Sequence, residues 1–360
     1  MDKFERIGNI ERHQRGLEMT GVISMNASII HIISHTDLDG VVAAALAWHH
    51  HRDQAPLKIS LAGYGIVDNL ILESLKREEK MVVLDLFCQK TRTVDEIDKR
   101  FPQENEPFVF DHHESNFSRY SNRPWLHLDT RYCAARVYYL WLQEKCRNEK
   151  EKKILEKMER MVEIANDRDM WINDMEESRL WQGLITLCGP WGIFTRLVED
   201  PYPEMRGHEL HAARLFVEKQ KQRFDQALEI LGSRKKDLAF VGDGVLEFGD
   251  VSDFGGLVLD HLQDPPRLMA SASRKITGEW AVSLRSREGL AGKVVSILKD
   301  GSKVRGGGHD NAAALYFPPQ YSQEKIRDSL EAAIKAIKEK ESPIGATLGD
   351  VFKKALEEEK

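Results

Sequence analysis

The chain has 360 residues, 41% hydrophobic and 31% charged, with a formal net charge of −6. That length predicts about two domains, and the composition excludes a disordered or fibrous protein. The negative charge argues against a broad basic surface for long duplex DNA, but a short phosphorylated ligand held by metal ions and a few local cations is compatible with it.

Residues 1–25 are polar and mixed in charge, and the first domain is expected to begin at Asn26. The apolar run Ile29 to Ile33 reads as a strand, His35 to Gly40 as a loop, and Val41 to Trp48 as an Ala-rich buried helix. The pattern recurs. Met81 to Leu84 ends at Asp85 and Phe108 to Phe110 ends at Asp111, with helical segments near residues 69–77 and 93–99. Short apolar strands alternating with helices predict right-handed crossovers and a parallel sheet, with its loops gathered along one edge.

Amphipathic helices are expected over residues 131–147 and 149–165, then a helical connector near 209–231. From Asp237 the texture changes to short strands at 238–241, 245–248, 268–271, 280–284 and 313–317, with helices near Val258 and Val294. The expected fold is therefore α/β: a parallel-sheet domain over 26–205, a connector over 206–235, a smaller α/β substrate-binding domain over 236–320, and a peripheral charged helical tail over 321–360. The four cysteines form no CxxC pair and read as buried thiols of a reducing compartment. No apolar stretch is long enough to span a bilayer and the amino terminus is charged, so no membrane partner and a cytoplasmic location are expected.

Four acidic clusters carry the chemistry: His35-Thr36-Asp37-Leu38-Asp39-Gly40, Asp85, Asp111-His112-His113, and Asn166-Asp167-Arg168-Asp169. Either Asp37 or Asp39 alone would read as a helix N-cap. Three clusters at strand ends read differently, because a parallel sheet would crowd His35, Asp37, Asp39, Asp85 and His112 together, and such carboxylates cannot all stay ionised without cations. Carboxylates with imidazoles and no thiolate favour Mn²⁺, or Mg²⁺ or Co²⁺, over structural zinc. Two ions about 3.5–4 Å apart and bridged by Asp85 would suit a hydrolase in which a bridging hydroxide attacks phosphorus.

The second domain carries Gly306-Gly307-Gly308-His309, read as a loop whose backbone amides approach an anion, and Ser283-Leu284-Arg285-Ser286, which ends a strand and supplies a guanidinium. Together they are expected to clamp substrate opposite the metals.

In combination and order, His-x-Asp-x-Asp-Gly at 35–40, Asp85, Asp111-His112-His113 and Gly-Gly-Gly-His at 306–309 resemble the DHH phosphoesterase family in its two-domain form. The likeness runs from Ile29 to Phe317. The closely spaced first motif, Asp169-x-Trp171 and Ser-Leu-Arg-Ser at 283–286 are most similar to the bacterial nano-RNase, or oligoribonuclease, branch. That resemblance implies two Mn²⁺ ions and hydrolysis of short oligonucleotides to mononucleotides. It implies His35, Asp37, Asp39, Asp85, His112 and Asp169 as metal ligands, with His113 supporting phosphate or the metal shell, and Arg285, Ser286 and His309 holding nucleotide. Asp167 is also available in the fourth motif, but Asp169, ahead of x-Trp, matches better. The short spacing after His35, and Arg305 and Ala314 where glycines are common, depart from many relatives. Cyclic dinucleotides, 3′-phosphoadenosine 5′-phosphate and polyphosphate are alternative substrates. A non-catalytic nucleic-acid or partner-binding module is the alternative class, and a homodimer is left open.

Overall fold

The computed structural model describes residues 28–102, 106–113, 120, 122–146, 148–232, 237–299 and 303–341. The chain divides into two compact units, residues 1–213 and 214–360.

The first unit is built on five parallel strands: β1 (Ile30–Ser34), β2 (Leu57–Leu61), β3 (Lys80–Leu84), β4 (Val109–Asp111) and β5 (Leu126–Leu128), in the order β2-β1-β3-β4-β5. Between β1 and β2 lies α1 (Leu38–His51), and between β2 and β3 lies α2 (Val67–Lys76), followed after β3 by α3 (Thr91–Arg100). The chain leaves β1 for β2 on one side and returns to β3 on the other, so the strand order reverses between β1 and β3. In open α/β sheets the crevice beyond the strands' carboxyl ends at such a reversal is where ligands bind.

Helix α1 is buried from Leu38 to Ala47, which its run of small Ala side chains permits, and it packs against α4 (Ala134–Lys145), α5 (Glu149–Asp169) and α6 (Glu176–Glu199). Helices α2 and α3 share a separate core with Ile33, Met81, Val83 and Val109 of the strands. Sandwiching the sheet in this way fits strands that read as continuous apolar runs.

The boundary between the units falls within α7 (Gly207–Leu231). The second unit holds a mixed sheet in the order β6-β7-β8-β10-β9, from β6 (Leu238–Val241), β7 (Leu268–Arg274), β8 (Trp280–Ser286), β9 (Arg305–Gly308) and β10 (Ala312–Phe317). Only β6 and β7 pair in parallel. Among the described residues its remaining helices are α8 (Val251–Asp260), α9 (Leu290–Lys299) and α10 (Gln323–Glu341).

Several elements differ from expectation. Residues 245–248 do not form a strand. Gly244 at φ 79° turns the chain, and Asp250, paired with Arg223, accepts the Glu247 amide to close a short 3-10 turn over Phe248–Asp250. The segment expected as a glycine loop is the edge strand β9, paired with β10. A Cβ at Gly306 would lie 2.7 Å from Leu315 Cδ2 and 2.8 Å from the Ala314 carbonyl, so glycine here permits close strand approach. The charged tail is not peripheral as far as Glu341, because α10 places Ile326, Leu330, Ala333, Ile334 and Ile337 in the core; residues 342–360, like 1–27, lie outside the described residues. Strands β2 and β5 and helix α6 were not expected. Of the cysteines, Cys88 and Cys133 are buried, but Cys146 is half-buried and Cys188 exposed.

Candidate metal centre

At the end of β1, the Ser34 hydroxyl lies 2.6 Å from the Gly40 carbonyl and 3.2 Å from the Leu84 carbonyl, tying the start of α1 to the end of β3. This fastening holds the His35–Asp39 turn beside Asp85. Asp37 uses its two oxygens differently. Oδ1 accepts the Gly40 amide at 3.0 Å as the N-cap of α1, while Oδ2 lies 2.7 Å from His35 Nδ1.

Two residues further, Asp39 is buried and reaches across to the first turn of α4, where its two oxygens accept the Ala134 and Ala135 amides, both at 2.7 Å. The positive end of a helix thereby helps fix a carboxylate that belongs to a different element.

Asp85 follows β3 at φ 55°, the left-handed region that Asp tolerates better than most residues, and its amide donates to the Phe110 carbonyl. It is 1% exposed and surrounded by imidazoles. Its Oδ1 is 3.4 Å from His112 Nε2 and 4.0 Å from His113 Nδ1, and its Oδ2 is 3.7 Å from His35 Nδ1. His112 Nε2 also lies 3.3 Å from Asp169 Oδ2 and 3.9 Å from Asp39 Oδ2.

Asp111 turns its carboxylate back on its own segment, where Oδ1 accepts the His112 and His113 amides and lies 2.7 Å from His113 Nδ1. It orients His113, whose other ring nitrogen is 3.1 Å from the Tyr64 hydroxyl.

Three sets of side chains thus bring potential ligand atoms within 4.8 Å of one another: His35, Asp37 and Asp85; Asp39, His112 and Asp169; and Asp85, His112 and His113. Asp167 stands apart from them. Its Oδ1 accepts the Asp174 amide at 2.8 Å and its carbonyl accepts the Ile172 amide, so it braces the turn after α5.

The donor set fits divalent cations on a direct test. Asp85 Oδ2, His112 Nε2 and Asp169 Oδ2 are buried and have no hydrogen-bond partner among the described residues, as is also true of Asp167 Oδ2. Such orphaned polar atoms cost roughly 1–3 kcal/mol each unless something satisfies them. Protonation equilibria agree. Burial and the neighbouring charge of Asp37 push the Asp85 carboxyl up, and burial with Asp85 and Asp169 does the same to Asp39. Burial works against protonated His35, yet its contacts with Asp37 and Asp85 raise it to about 10. These are the responses of an anionic cluster seeking positive charge.

In the second unit, burial lowers the Arg285 guanidinium, which lies 3.0 Å from Ser252 Oγ and has no carboxylate partner among the described residues. Ser286 is fully buried, and its hydroxyl accepts the Ala291 amide at the start of α9. Gly307, Gly308 and His309 are exposed on the edge of the sheet, and Gly306 is half-buried. Sequence reasoning missed Tyr64, in the Gly63-Tyr64-Gly65 turn after β2, and the Ala134 and Ala135 amides. The paired glycines around an aromatic were the only available signal.

No family model and no curated protein matches the chain. Among solved structures, it is similar to exonuclease RecJ bound to manganese, with a TM-score of 0.51 and 13% identity over 86% of this chain and 90% of that one. It also aligns with the pGpG-specific phosphodiesterase PggH from Vibrio cholerae (TM-score 0.49, 12% identity, 85% and 99% covered). A third match is an uncharacterized protein from Helicobacter pylori G27 (TM-score 0.37, 19% identity, 85% and 99% covered). The protein is thus an α/β protein with a helix-flanked parallel sheet and a second, mixed sheet. Its fold is that seen in RecJ.

Proposed function

We propose that this chain is a Mn²⁺-dependent cytoplasmic phosphodiesterase that hydrolyses short oligonucleotides to mononucleotides. The observation that carries this reading is the position of Asp85, which shares one ligand set with His35 and Asp37 and another with His112 and His113, while Asp39, His112 and Asp169 form a third. Two cations held by His35, Asp37, Asp39, Asp85, His112 and Asp169 would neutralise the carboxylates, acidify a water molecule and polarise a phosphoryl oxygen.

The chain's own residues would do the positioning. The α4 amides fix Asp39, and the N-cap interaction fixes Asp37. Asp111 and Tyr64 hold His113 from its two ring nitrogens, at the edge of the cluster where it is 36% exposed and can face a phosphate. Arg285 supplies a guanidinium with no carboxylate among the described residues to compete for it, and a planar fork of donors suits a phosphate. Gly307, Gly308 and His309 are exposed on the same sheet as Arg285, whereas Ser286 is committed to α9 and contributes by holding the end of β8.

The test uses metal-stripped protein reloaded with Mn²⁺ and offered di- to pentanucleotides beside cyclic dinucleotides, 3′-phosphoadenosine 5′-phosphate and polyphosphate. Release of mononucleotides, with about two Mn²⁺ bound per chain and loss of both in Asp85→Asn, is the expected result. Intact oligonucleotides in the presence of bound Mn²⁺ overturn the substrate assignment, and a failure to bind any Mn²⁺ overturns the whole reading.

A further inference from the structure

Helix α5 ends at Asp169, and the chain then makes a tight turn whose construction the metal cluster does not require. Trp171 and Asn173 both adopt left-handed backbone conformations, at φ 56° and 61°. For Asn that is ordinary; for a bulky Trp it is a disfavoured conformation that the surroundings must impose. They do so through Asp167, whose carbonyl accepts the Ile172 amide at 3.0 Å and whose Oδ1 accepts the Asp174 amide at 2.8 Å. Asn173 Nδ2 closes the turn on the Trp171 carbonyl at 3.0 Å.

The result is a large ring held outward. Trp171 is 44% exposed and Ile172 beside it is 49% exposed. A lone exposed aromatic is normal on a protein surface. Trp171 differs in two respects. It stands two residues beyond Asp169, whose Oδ2 is 3.3 Å from His112 Nε2, so its Cα is within about 8 Å of a ligand-bearing Cα. It is also partnered by a cation, because the Arg168 guanidinium lies 4.9 Å from the ring centroid and is held by Gln182 Oε1 at 3.3 Å. An exposed ring beside a guanidinium, two residues along the chain from an acid of the cluster, is suited to stacking a nucleobase.

We propose that Trp171, positioned by Asp167 and flanked by Arg168, is the stacking platform for the base next to the scissile phosphate. This inference rests on the phosphodiesterase reading above and narrows it: the substrate is a base-bearing nucleotide ester, and a bare chain of phosphates is disfavoured.

The experiment compares the full-length protein with Trp171→Gly, which removes the ring while suiting the left-handed backbone, and Trp171→Phe, which keeps a stackable ring. The quantity read is the ratio of kcat/KM for a dinucleotide to that for its abasic counterpart. Trp171→Gly is expected to lower this ratio by about 5- to 150-fold, mostly through KM, the range that one stacked base commands. Trp171→Phe should restore most of it. An unchanged ratio in Trp171→Gly overturns the proposal. A second readout is independent of turnover: a 5-iodouridine dinucleotide with a non-hydrolysable methylenephosphonate linkage is photo-crosslinked to wild-type protein. Crosslinking at Trp171 supports the platform even where neither substrate is cleaved, an outcome in which only the phosphodiesterase reading falls. Crosslinking elsewhere overturns the platform while leaving that reading intact.

Discussion

Gly40 is the residue at which the sequence motif, the packing of the fold and the candidate metal centre meet, and replacing it with alanine perturbs all three. The added Cβ would sit 2.6 Å from the His35 carbonyl oxygen and 2.7 Å from both its carbonyl carbon and its Cβ. Ordinary contact begins near 3.4 Å, so the helix start and the His35 backbone must separate by 3.4 − 2.6 = 0.8 Å. Backbone cannot swing aside as a long side chain can. The separation would stretch the 2.6 Å bond from Ser34 Oγ to the Gly40 carbonyl and the 3.0 Å bond from the Gly40 amide to Asp37. Overpacking of this kind costs about 1–3 kcal/mol, which for a unit of this size lowers Tm by roughly 2–12 °C. Because His35, Asp37 and Asp39 ride on the displaced segment, Mn²⁺ affinity should fall about 10- to 100-fold, as when supporting contacts of a metal site are removed. Thermal unfolding followed by circular dichroism, with calorimetric Mn²⁺ titration, measures both. Gly63→Ala is the control, because nothing lies within 4 Å of its new Cβ, and it should stay within about 1 kcal/mol of wild type. A Gly40→Ala protein that melts and binds Mn²⁺ like wild type would refute the argument that close approach is why glycine stands there.

Addition of Mn²⁺ at a hundredfold excess over its Kd should stabilise the metal-stripped protein by about 2.7 kcal/mol per site, or roughly 5–11 °C in Tm; chelation should reverse the shift and Asp85→Asn should abolish it. His31, buried between Ser60 Oγ at 2.8 Å and Ser74 Oγ at 2.5 Å, is lowered by burial to about 4. The unfolded chain therefore takes up this proton first, near pH 6.5, and stability is full above that pH and lost as pH falls toward 4. The loss is as much as about 3 kcal/mol, and His31→Gln should flatten the stability profile over that window in urea titrations; an unchanged slope would contradict the assignment. Arg285→Lys keeps the charge but loses the fork of donors, so KM for a short oligonucleotide should rise about 10- to 150-fold, the worth of one hydrogen bond to a charged group.

The strands that carry the site were legible because each is an apolar run that leads into metal-capable side chains, His35 after β1, Asp85 after β3 and Asp111 at the end of β4. Strand β2 escaped notice because Leu57-Lys58-Ile59-Ser60-Leu61 is a half-buried edge strand without a continuous apolar run, and the short β5 has its apolar run broken by His127. Helix α6 was hidden by Gly189, at φ 73°, and Pro190, which kink it into two helical pieces. The glycine triplet reads as a loop rather than as strand β9 because glycine serves anion approach and strand approach equally well, and the contact of Gly306 with β10 is visible only in the fold. The different surroundings of Asp167 and Asp169 follow from the helix they share. Two residues apart on a helix point about 200° apart, so one can face His112 while the other braces the turn.

The same division explains how the cluster tolerates its own charge. Asp37, Asp39 and Asp111 each spend at least one oxygen on backbone amides, which fixes their geometry and offsets negative charge without any counter-ion. Asp85, His112 and Asp169 instead keep buried atoms that no group among the described residues satisfies. The first group can therefore hold its shape without metal, while the second gains most from a cation. Pre-organisation of some ligands lowers the ordering cost of binding, and leaving others unsatisfied reserves their interaction energy for the ion.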